Sequence, residues 1–298
     1  MLFRPGFELD LDTVLGPLSR GSRSPNIVRT EGGVTWLAAN TADGAGTLAL
    51  LRRADGEIEA DAWGPGAARL LDGVPAMLGA DDDDSEFEAH HDVIASARRL
   101  NPGLRLGSTG RVWDALVLAV LEQKVTSTEA LRSWGELCRW FGEQAPGPGP
   151  SRLRVPPTPV AIRSIVDWKW HRAGVDLKRR TTLITAARVA HRLEKAVELK
   201  GVEGRAWLRK VPGIGVWTAA EIAQRAWGDP DAVSFGDYNI PSMVGHALVG
   251  TKLDDAGMSE VLAPYSPQRQ RAVRYLSTAG FRRPRFGPKI ELRDYRAM

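Results

Sequence analysis

The stretch Leu208-Arg209-Lys210-Val211-Pro212-Gly213-Ile214-Gly215-Val216-Trp217-Thr218-Ala219 carries most of the structural information in this chain. It predicts the end of one helix, a Pro-Gly-x-Gly hairpin and the start of a second helix. Gly213 and Gly215 let the backbone approach another molecule closely, because glycine has no Cβ. The second helix presents free N–H groups and the positive end of its dipole at the same point. The pattern therefore indicates a phosphate-binding hairpin; the structural alternative is a tight turn between packed helices.

A second short loop, Gly236-Asp237-Tyr238, follows the hairpin after about one helix and makes the pattern more specific. Together the hairpin and this loop resemble the helix-hairpin-helix (HhH-GPD) DNA glycosylase superfamily, and within it most closely the bacterial 3-methyladenine DNA glycosylase II family. A weaker upstream match is Val120-Leu121-Glu122-Gln123-Lys124-Val125-Thr126. The resemblance covers roughly residues 105–280 of the chain.

Hydrophobic periodicity predicts two structural parts. Near the N-terminus, segments such as Glu57-Ile58-Glu59-Ala60-Asp61-Ala62-Trp63 alternate polar and apolar residues between glycine-containing turns, which predicts an antiparallel sheet. Further along, apolar residues recur every three or four positions, which predicts helices. We therefore expect an α+β protein that is predominantly α, with a small antiparallel N-terminal domain (1–84) and an all-helical glycosylase core (85–298) that contains the hairpin (208–219) and a catalytic loop (234–238).

Three further segments carry local predictions. A helix is expected near residues 66–78, and another starting at Asp84 or Ser85, either of which is a good N-cap residue. Residues 178–197 are predicted to form one long helix. The segment 142–158 is rich in proline and glycine and is predicted to be a loop.

Composition limits the classes of function. The 298 residues are 43% hydrophobic and 26% charged, as in ordinary globular proteins, and the net charge of +4 does not by itself indicate nucleic acid binding. Cys138 is the single cysteine, which excludes an internal disulfide and a thiolate zinc or iron–sulfur site. The acidic run 81–84 and the basic C-terminal segment are expected to be solvated surfaces, with DNA contact as the alternative for the basic one. We expect a cytoplasmic monomer without membrane contact and without an organic cofactor.

Asp237 is the catalytic residue that the resemblance implies. Cleavage of an N-glycosidic bond builds positive charge on the deoxyribose, and a carboxylate aimed at C1′ stabilises that charge and orients or deprotonates a water molecule. The structural alternative is a helix N-cap, because a helix is expected to begin just after Tyr238. Both roles are compatible with one side chain.

Trp217 and Tyr238 are expected to form aromatic walls for a base that has been flipped out of the duplex. Electron-rich rings attract alkylated bases, which carry positive charge. Bifunctional members of the superfamily carry a nucleophilic lysine where this chain has Trp217, so the resemblance implies a monofunctional enzyme. Packing in the core is the structural alternative for either ring.

Two positions depart from the family pattern. Glu221 replaces an aromatic pocket residue, and its carboxylate is expected to pair with a cationic base, to accept from an exocyclic amine or to face solvent. Lys124 replaces an apolar wedge that fills the gap left by the flipped base, so it either contacts phosphate or leaves the wedge role to another residue. Gln123 is expected to probe the gap or the opposite base.

The expected partner is damaged double-stranded DNA, in particular duplex with alkylated purines. The hairpin would contact its phosphates, and in the family the hairpin carbonyls, here near Val211 and Ile214, also hold a monovalent cation. Two alternatives remain open: a catalytically silent protein that recognises distorted duplex, and a glycosylase for deaminated or oxidised bases. The hairpin residues predicted to contact DNA are Gly213, Ile214, Gly215, Val216 and Thr218.

Overall fold

The N-terminal part of the chain forms a five-stranded antiparallel sheet. The computed structural model describes residues 1–19 and 24–282. The strand order is β1-β5-β4-β3-β2, so β3, β4 and β5 form the meander that the sequence predicts. The strands are β1 (Leu2–Phe3), β2 (Ile27–Arg29), β3 (Thr35–Thr41), β4 (Gly44–Arg52) and β5 (Ile58–Trp63).

Helices account for most of the remaining described chain, so the predicted α+β fold with a helical core is confirmed. In order they are α1 (Leu11–Leu15), α2 (Ala67–Asp72), α3 (Val74–Met77), α4 (Asp92–Leu100), α5 (Val112–Leu121), α6 (Ser127–Phe141), α7 (Pro159–Ser164), α8 (Asp167–Arg172), α9 (Leu177–Arg188), α10 (Ala190–Leu193), α11 (Ala196–Leu199), α12 (Gly201–Leu208), α13 (Val216–Ala226), α14 (Ile240–Leu248), α15 (Asp255–Leu262) and α16 (Arg269–Thr278). Within the described ranges, no helix has both the length and the apolar character needed to cross a bilayer.

The sheet is covered on both faces. Alternating strand residues such as Leu48 and Leu50 are buried against α1, α2 and α3. On the opposite face, Leu153 and Val155 from the proline- and glycine-rich segment pack against Ala38. The predicted loop 142–158 is therefore irregular but serves as a layer of the fold, tied by an isolated bridge between Gln144 and Arg154.

The helical core contains two separate apolar clusters. The first cluster is formed by α5 to α13, with α5 at its centre, and includes Leu116 and Ile222. The second cluster joins α4 to α14, α15 and α16 and includes Ile94 and Leu276. Because α13 belongs to the first cluster and α14 to the second, the segment 227–239 between them lies at the junction of the two.

Two helix predictions were wrong, one in where the helix starts and one in whether the helix is continuous. The helix expected to start at Asp84 or Ser85 starts at Asp92, with His91 as its N-cap residue. The single long helix expected over 178–197 is broken into α9, α10 and α11. The break presents Glu194 to the start of α5, where its carboxylate accepts hydrogen bonds from the N–H groups of Val112 (2.9 Å) and Trp113 (2.9 Å). Burial raises the pKa of this Glu194 carboxyl.

The acidic run 81–84 is divided: Asp81 and Asp83 are exposed, as expected of a solvated surface, whereas Asp82 and Asp84 form an internal clamp. The carboxylate of Asp82 forms a two-point ion pair with Arg271 on α16, with side chains 3% and 0% exposed. Asp84 pairs with Arg98 and Arg105. Charge in this run therefore stabilises packing between the segment before α4 and α16. The basic residues Arg283, Arg285, Lys289, Arg293 and Arg296 lie outside the described residues.

Replacement of Arg271 by methionine should lower the free energy of unfolding by about 3–5 kcal/mol, because the Asp82 carboxylate would stay buried without its cation. Urea unfolding measures the change. The matched control is Arg69→Met, which removes a pair with Asp43 whose two side chains are 56% and 50% exposed and should change stability by less than about 1 kcal/mol. Equal losses in the two variants would contradict an internal clamp.

Candidate nucleic-acid interface and catalytic loop

The hairpin joins α12 to α13 and exposes its glycines. Val211 and Ile214 are buried in the first cluster and anchor the turn, with the Ile214 N–H donating to the Val211 carbonyl at 3.0 Å. Gly213 has φ +93 and Gly215 is the N-cap residue of α13, without a side-chain cap from any described residue. The first N–H groups of α13 therefore lie in an exposed turn and lack a capping side chain.

Gln123 connects the loop after α5 to the hairpin. Its Nε2 donates to the Gly213 carbonyl at 3.0 Å and to the Thr218 hydroxyl at 2.9 Å. Thr218 is buried and holds Gln123 in place, whereas Val216 is 45% exposed. Lys124, next to Gln123, is exposed and has φ +55, an uncommon conformation for a residue with a side chain.

These contacts create one continuous surface, called here the hairpin surface, from residues that are 90 positions apart in sequence. The sequence does not reveal the bond between Gln123 and the hairpin, because it joins two distant segments. The sequence also does not predict the left-handed backbone conformation of Lys124, since lysine has no preference for that conformation. The hairpin surface consists of Gln123, Lys124, Gly213, Gly215 and Val216.

The hairpin carbonyls bear on the monovalent cation that the resemblance implies. The Val211 carbonyl accepts one hydrogen bond from Ile214, and the Gly213 carbonyl accepts one from Gln123. Each carbonyl has a second lone pair, and carbonyl oxygen is a suitable ligand for a hard cation. The oxygens are thus of the right chemical type, and the cation near the Val211 and Ile214 carbonyls stays a prediction. The described residues contain no group of three or more His, Cys, Asp or Glu side chains that could hold a metal ion.

Asp237 bridges the starts of α13 and α14. Its Oδ1 accepts from the backbone N–H groups of Asn239 (2.7 Å), which is the N-cap residue of α14, and of Ile240 (3.0 Å), the first helical residue. Asp237 therefore precedes the N-cap position by two residues but still binds the start of α14. Its Oδ2 accepts from the indole N–H of Trp217 on α13 at 3.1 Å. Asp237 is partly exposed, and Tyr238 beside it is 69% exposed. The structure thus brings Trp217 and Asp237 together, whereas most of the Tyr238 surface is exposed.

The candidate catalytic loop, residues 234–238, is held from both sides of the junction. On the α13 side, the Ser234 hydroxyl donates to Glu221 Oε1 at 2.6 Å and accepts from Gln224 Nε2 at 2.8 Å. On the α15 side, Asp255 Oδ2 accepts from the Gly236 N–H at 2.8 Å. The sequence did not reveal Ser234, Gln224 or Asp255 as loop supports. Only the nearness of Ser234 to Asp237 in the chain offered a signal.

Glu221 is buried and already paired. Besides the Ser234 bond, its carboxylate lies 3.0 Å from the guanidinium of Arg225, one helical turn further along α13. A cavity of about 270 Å³ opens beside this pair. Ile240, whose N–H donates to Asp237, also lines that cavity, whereas Asp237, Trp217 and Tyr238 are not among the described residues of its wall.

A pair of glycine substitutions tests the hairpin geometry. Gly213→Ala should lower the free energy of unfolding by about 1–3 kcal/mol, because alanine resists a positive φ and its Cβ would lie 2.1 Å from the Thr182 hydroxyl oxygen. Gly215→Ala should change it by less than about 0.5 kcal/mol, since no atom lies within 4 Å of the added Cβ. Chemical denaturation provides the measurement. A Gly213 variant as stable as the Gly215 variant would show that this turn geometry is incorrect.

Comparison with solved structures identifies the fold. A 3-methyladenine DNA glycosylase from Archaeoglobus fulgidus superposes with a TM-score of 0.77 at 14% identity, covering 94% of this chain and 99% of that one. MBOgg1 in complex with a low-affinity DNA ligand gives 0.73 at 16% identity, covering 94% of each chain. The Clostridium acetobutylicum 8-oxoguanine glycosylase/lyase in complex with double-stranded DNA gives 0.71 at 12% identity, covering 93% of each chain.

No family model matches the sequence, and no curated protein matches it. The similarity is therefore one of three-dimensional structure, and it extends over nearly the whole chain rather than over the hairpin alone. Structures of both 3-methyladenine and 8-oxoguanine glycosylases are among those that match. The resemblance predicted from the hairpin and the Asp237 loop is confirmed: this chain has the fold of the helix-hairpin-helix DNA glycosylases.

Proposed function

We propose that this protein is a monofunctional DNA glycosylase, which hydrolyses the N-glycosidic bond of a damaged base flipped out of duplex DNA. The observation that carries the proposal is the carboxylate of Asp237, which is fixed at the junction of the two helical clusters by three N–H donors. Asp237 is partly exposed, and Ile240, which donates to its carboxylate, lines a cavity, so we place the flipped base in that cavity and the sugar against Asp237. An aspartate that served only as a cap would need neither feature.

The proposed reaction is a displacement by water. The oxygen of water bonds to C1′ while the bond from C1′ to the base nitrogen breaks, and the bonding electron pair leaves with the base. The water gives up one proton, taken by Asp237 or by solvent; a cationic base leaves as a neutral molecule, whereas a neutral base gains one proton as it departs. Asp237 stabilises the positive charge that develops on the sugar, and the three N–H donors hold it in one orientation before substrate arrives.

The hairpin surface would bind the phosphate backbone. Backbone N–H groups at the start of α13 lack a side-chain cap, and a phosphate oxygen is a suitable partner for them. Lys124 adds a flexible positive charge at the edge of the same surface. A monovalent cation on the hairpin carbonyls would supply further positive charge there. Such contacts are independent of base identity and fix the position of the protein on the duplex.

Absence of lyase activity follows from the residue beside Asp237. Bifunctional relatives carry a lysine at this position, whereas this chain places the indole of Trp217 there and uses its N–H to hold the carboxylate. Indole cannot form a Schiff base with the sugar. The proposed product is therefore an intact abasic site.

Two substrate classes have support. The electron-rich ring of Trp217 beside Asp237 favours a cationic alkylated purine, as does the similarity to a 3-methyladenine glycosylase. A neutral oxidised or deaminated base is the second candidate. It is favoured because none of the described residues that line the cavity is aromatic.

Substitution of Asp237 by asparagine should lower the single-turnover rate of base excision by at least about 100-fold, because asparagine keeps the shape of the side chain but not its charge. Affinity for undamaged duplex should not fall, since a negative charge is removed. Release of free base and a gel-shift assay measure the two properties. Asp55→Asn, in a remote exposed turn, is the control and should retain full activity. Wild-type protein that binds duplex but releases no damaged base would support the catalytically silent alternative.

Borohydride trapping tests the monofunctional assignment. No covalent adduct between protein and DNA should form during turnover of a damaged duplex, and strands should break only after alkali treatment of the product. A Trp217→Lys variant is the positive comparison, because it restores an amine at the position used by bifunctional relatives. An adduct with the wild-type protein would contradict the assignment.

A further inference from the structure

Two indole rings share one ammonium group on the surface of the helical core. Lys169 Nζ on α8 lies 4.5 Å from the ring centroid of Trp168 and 5.0 Å from that of Trp140, near the end of α6. The guanidinium carbons of Arg139 and Arg172 lie 5.4 and 5.5 Å from the centroid of the Trp140 ring. These five residues are called here the indole–cation cluster. Its cations are held over neighbouring rings by cation–π attraction.

Packing of α8 turns part of the cluster toward solvent. Trp170 is 1% exposed and belongs to the first apolar cluster, so it anchors the helix. Trp168 comes two residues earlier on the same helix, faces the opposite way and is 57% exposed. An ion pair between Asp167 and Arg180 on α9 fixes the start of α8. The exposed indole therefore has a defined position that core packing does not explain.

The cluster carries more positive than negative charge. Glu136 is paired with Arg139, and Asp167 is paired with Arg180. Lys169 and Arg172 have neither an ion pair nor a hydrogen bond among the described residues. A cation that lies over a ring still has N–H donors that point away from the ring. These two side chains therefore remain available to an anionic partner.

Single-stranded DNA supplies both kinds of group that the cluster lacks. Its phosphates are anions that suit the two cations, and each unpaired base has a flat face that stacks on an exposed aromatic ring. Duplex DNA offers the phosphates alone, because its bases are stacked on one another. An acidic peptide offers carboxylates but no regular series of flat rings. Exposed indole and unpaired positive charge on one surface thus favour a strand with unpaired bases.

We propose that the indole–cation cluster is a binding site for single-stranded DNA. One base stacks on Trp168, and Lys169 and Arg172 bind the neighbouring phosphates. Recognition is independent of sequence, because every base has a π-face. None of the cluster residues belongs to the hairpin surface, so this site is additional to the proposed duplex contact. The inference goes beyond the proposed glycosylase function and does not depend on it.

A matched pair of oligonucleotides separates stacking from charge. Labelled oligothymidylate of about 12 nucleotides and a strand of abasic sites of the same length carry the same phosphates, but only the first carries bases. Fluorescence anisotropy measures the affinity of the full-length protein for each strand. Oligothymidylate should bind at least about tenfold more tightly. Equal affinity for the two strands would overturn the stacking contact.

Variants assign the binding to this cluster. Trp168→Ala should weaken oligothymidylate binding about tenfold and leave affinity for undamaged duplex unchanged, whereas Trp168→Phe keeps an aromatic face and should restore most of the loss. Arg172→Gln should reduce the slope of log affinity against log salt concentration by about 0.7, the value for one phosphate contact on a single strand. Arg53→Gln is the control for charge, because Arg53 lies in an exposed turn after β4 and should leave that slope unchanged.

Two competing sites for the oligonucleotide are separated by the same assay. If Lys124→Gln weakens oligothymidylate binding and Trp168→Ala does not, the strand binds at the hairpin surface and the inference is wrong. If polyglutamate displaces the labelled strand more effectively than unlabelled oligothymidylate does, the cluster is a site for an acidic protein and the inference is also wrong. Circular dichroism establishes that each variant is folded. Base excision assays bear on the proposed function alone, so failure of either proposal is recognised separately.

Discussion

The carboxylate of Asp237 is the contact on which the candidate site depends. One of its oxygens binds the first N–H groups of α14, and the other binds the Trp217 indole on α13. Because α13 and α14 belong to different apolar clusters, this single side chain fixes the relative position of the two helix ends at their junction. Ser234 adds a hydrogen bond to Glu221 on α13, and Gly236 adds one to Asp255 on α15. The loop is thereby held in a defined geometry, as preorganised electrostatic stabilisation requires.

Local sequence was sufficient to predict the features that depend on local chemistry. The hairpin at Gly213, the carboxylate at Asp237 and the meander that ends at Trp63 each follow from a short pattern of residues, and the similar solved structures confirm the fold that these patterns predicted. The features that were missed depend on contacts between distant segments. Asp82 meets Arg271 across 189 positions, and Glu194 meets α5 across 82, so neither pairing leaves a local signal.

Charged side chains have different roles in different parts of this molecule. Several arginines near the C-terminus that suggested a DNA surface are instead engaged within the protein: Arg269 pairs with Asp231, and Arg271 pairs with Asp82. The proposed DNA contact relies mainly on uncapped backbone N–H groups at the start of α13. Inside the cavity, the pairing of Glu221 with Arg225 removes the carboxylate that the sequence offered to a cationic base.

The most direct test of the central claim is the affinity of the protein for duplexes that carry a sugar analogue in place of the damaged nucleotide. If the Asp237 carboxylate stabilises positive charge at C1′, a duplex with a cationic sugar analogue should bind at least about 100-fold more tightly than one with a neutral abasic analogue of the same shape. The difference should disappear in Asp237→Asn. Equal affinity of the wild-type protein for both analogues would contradict the account.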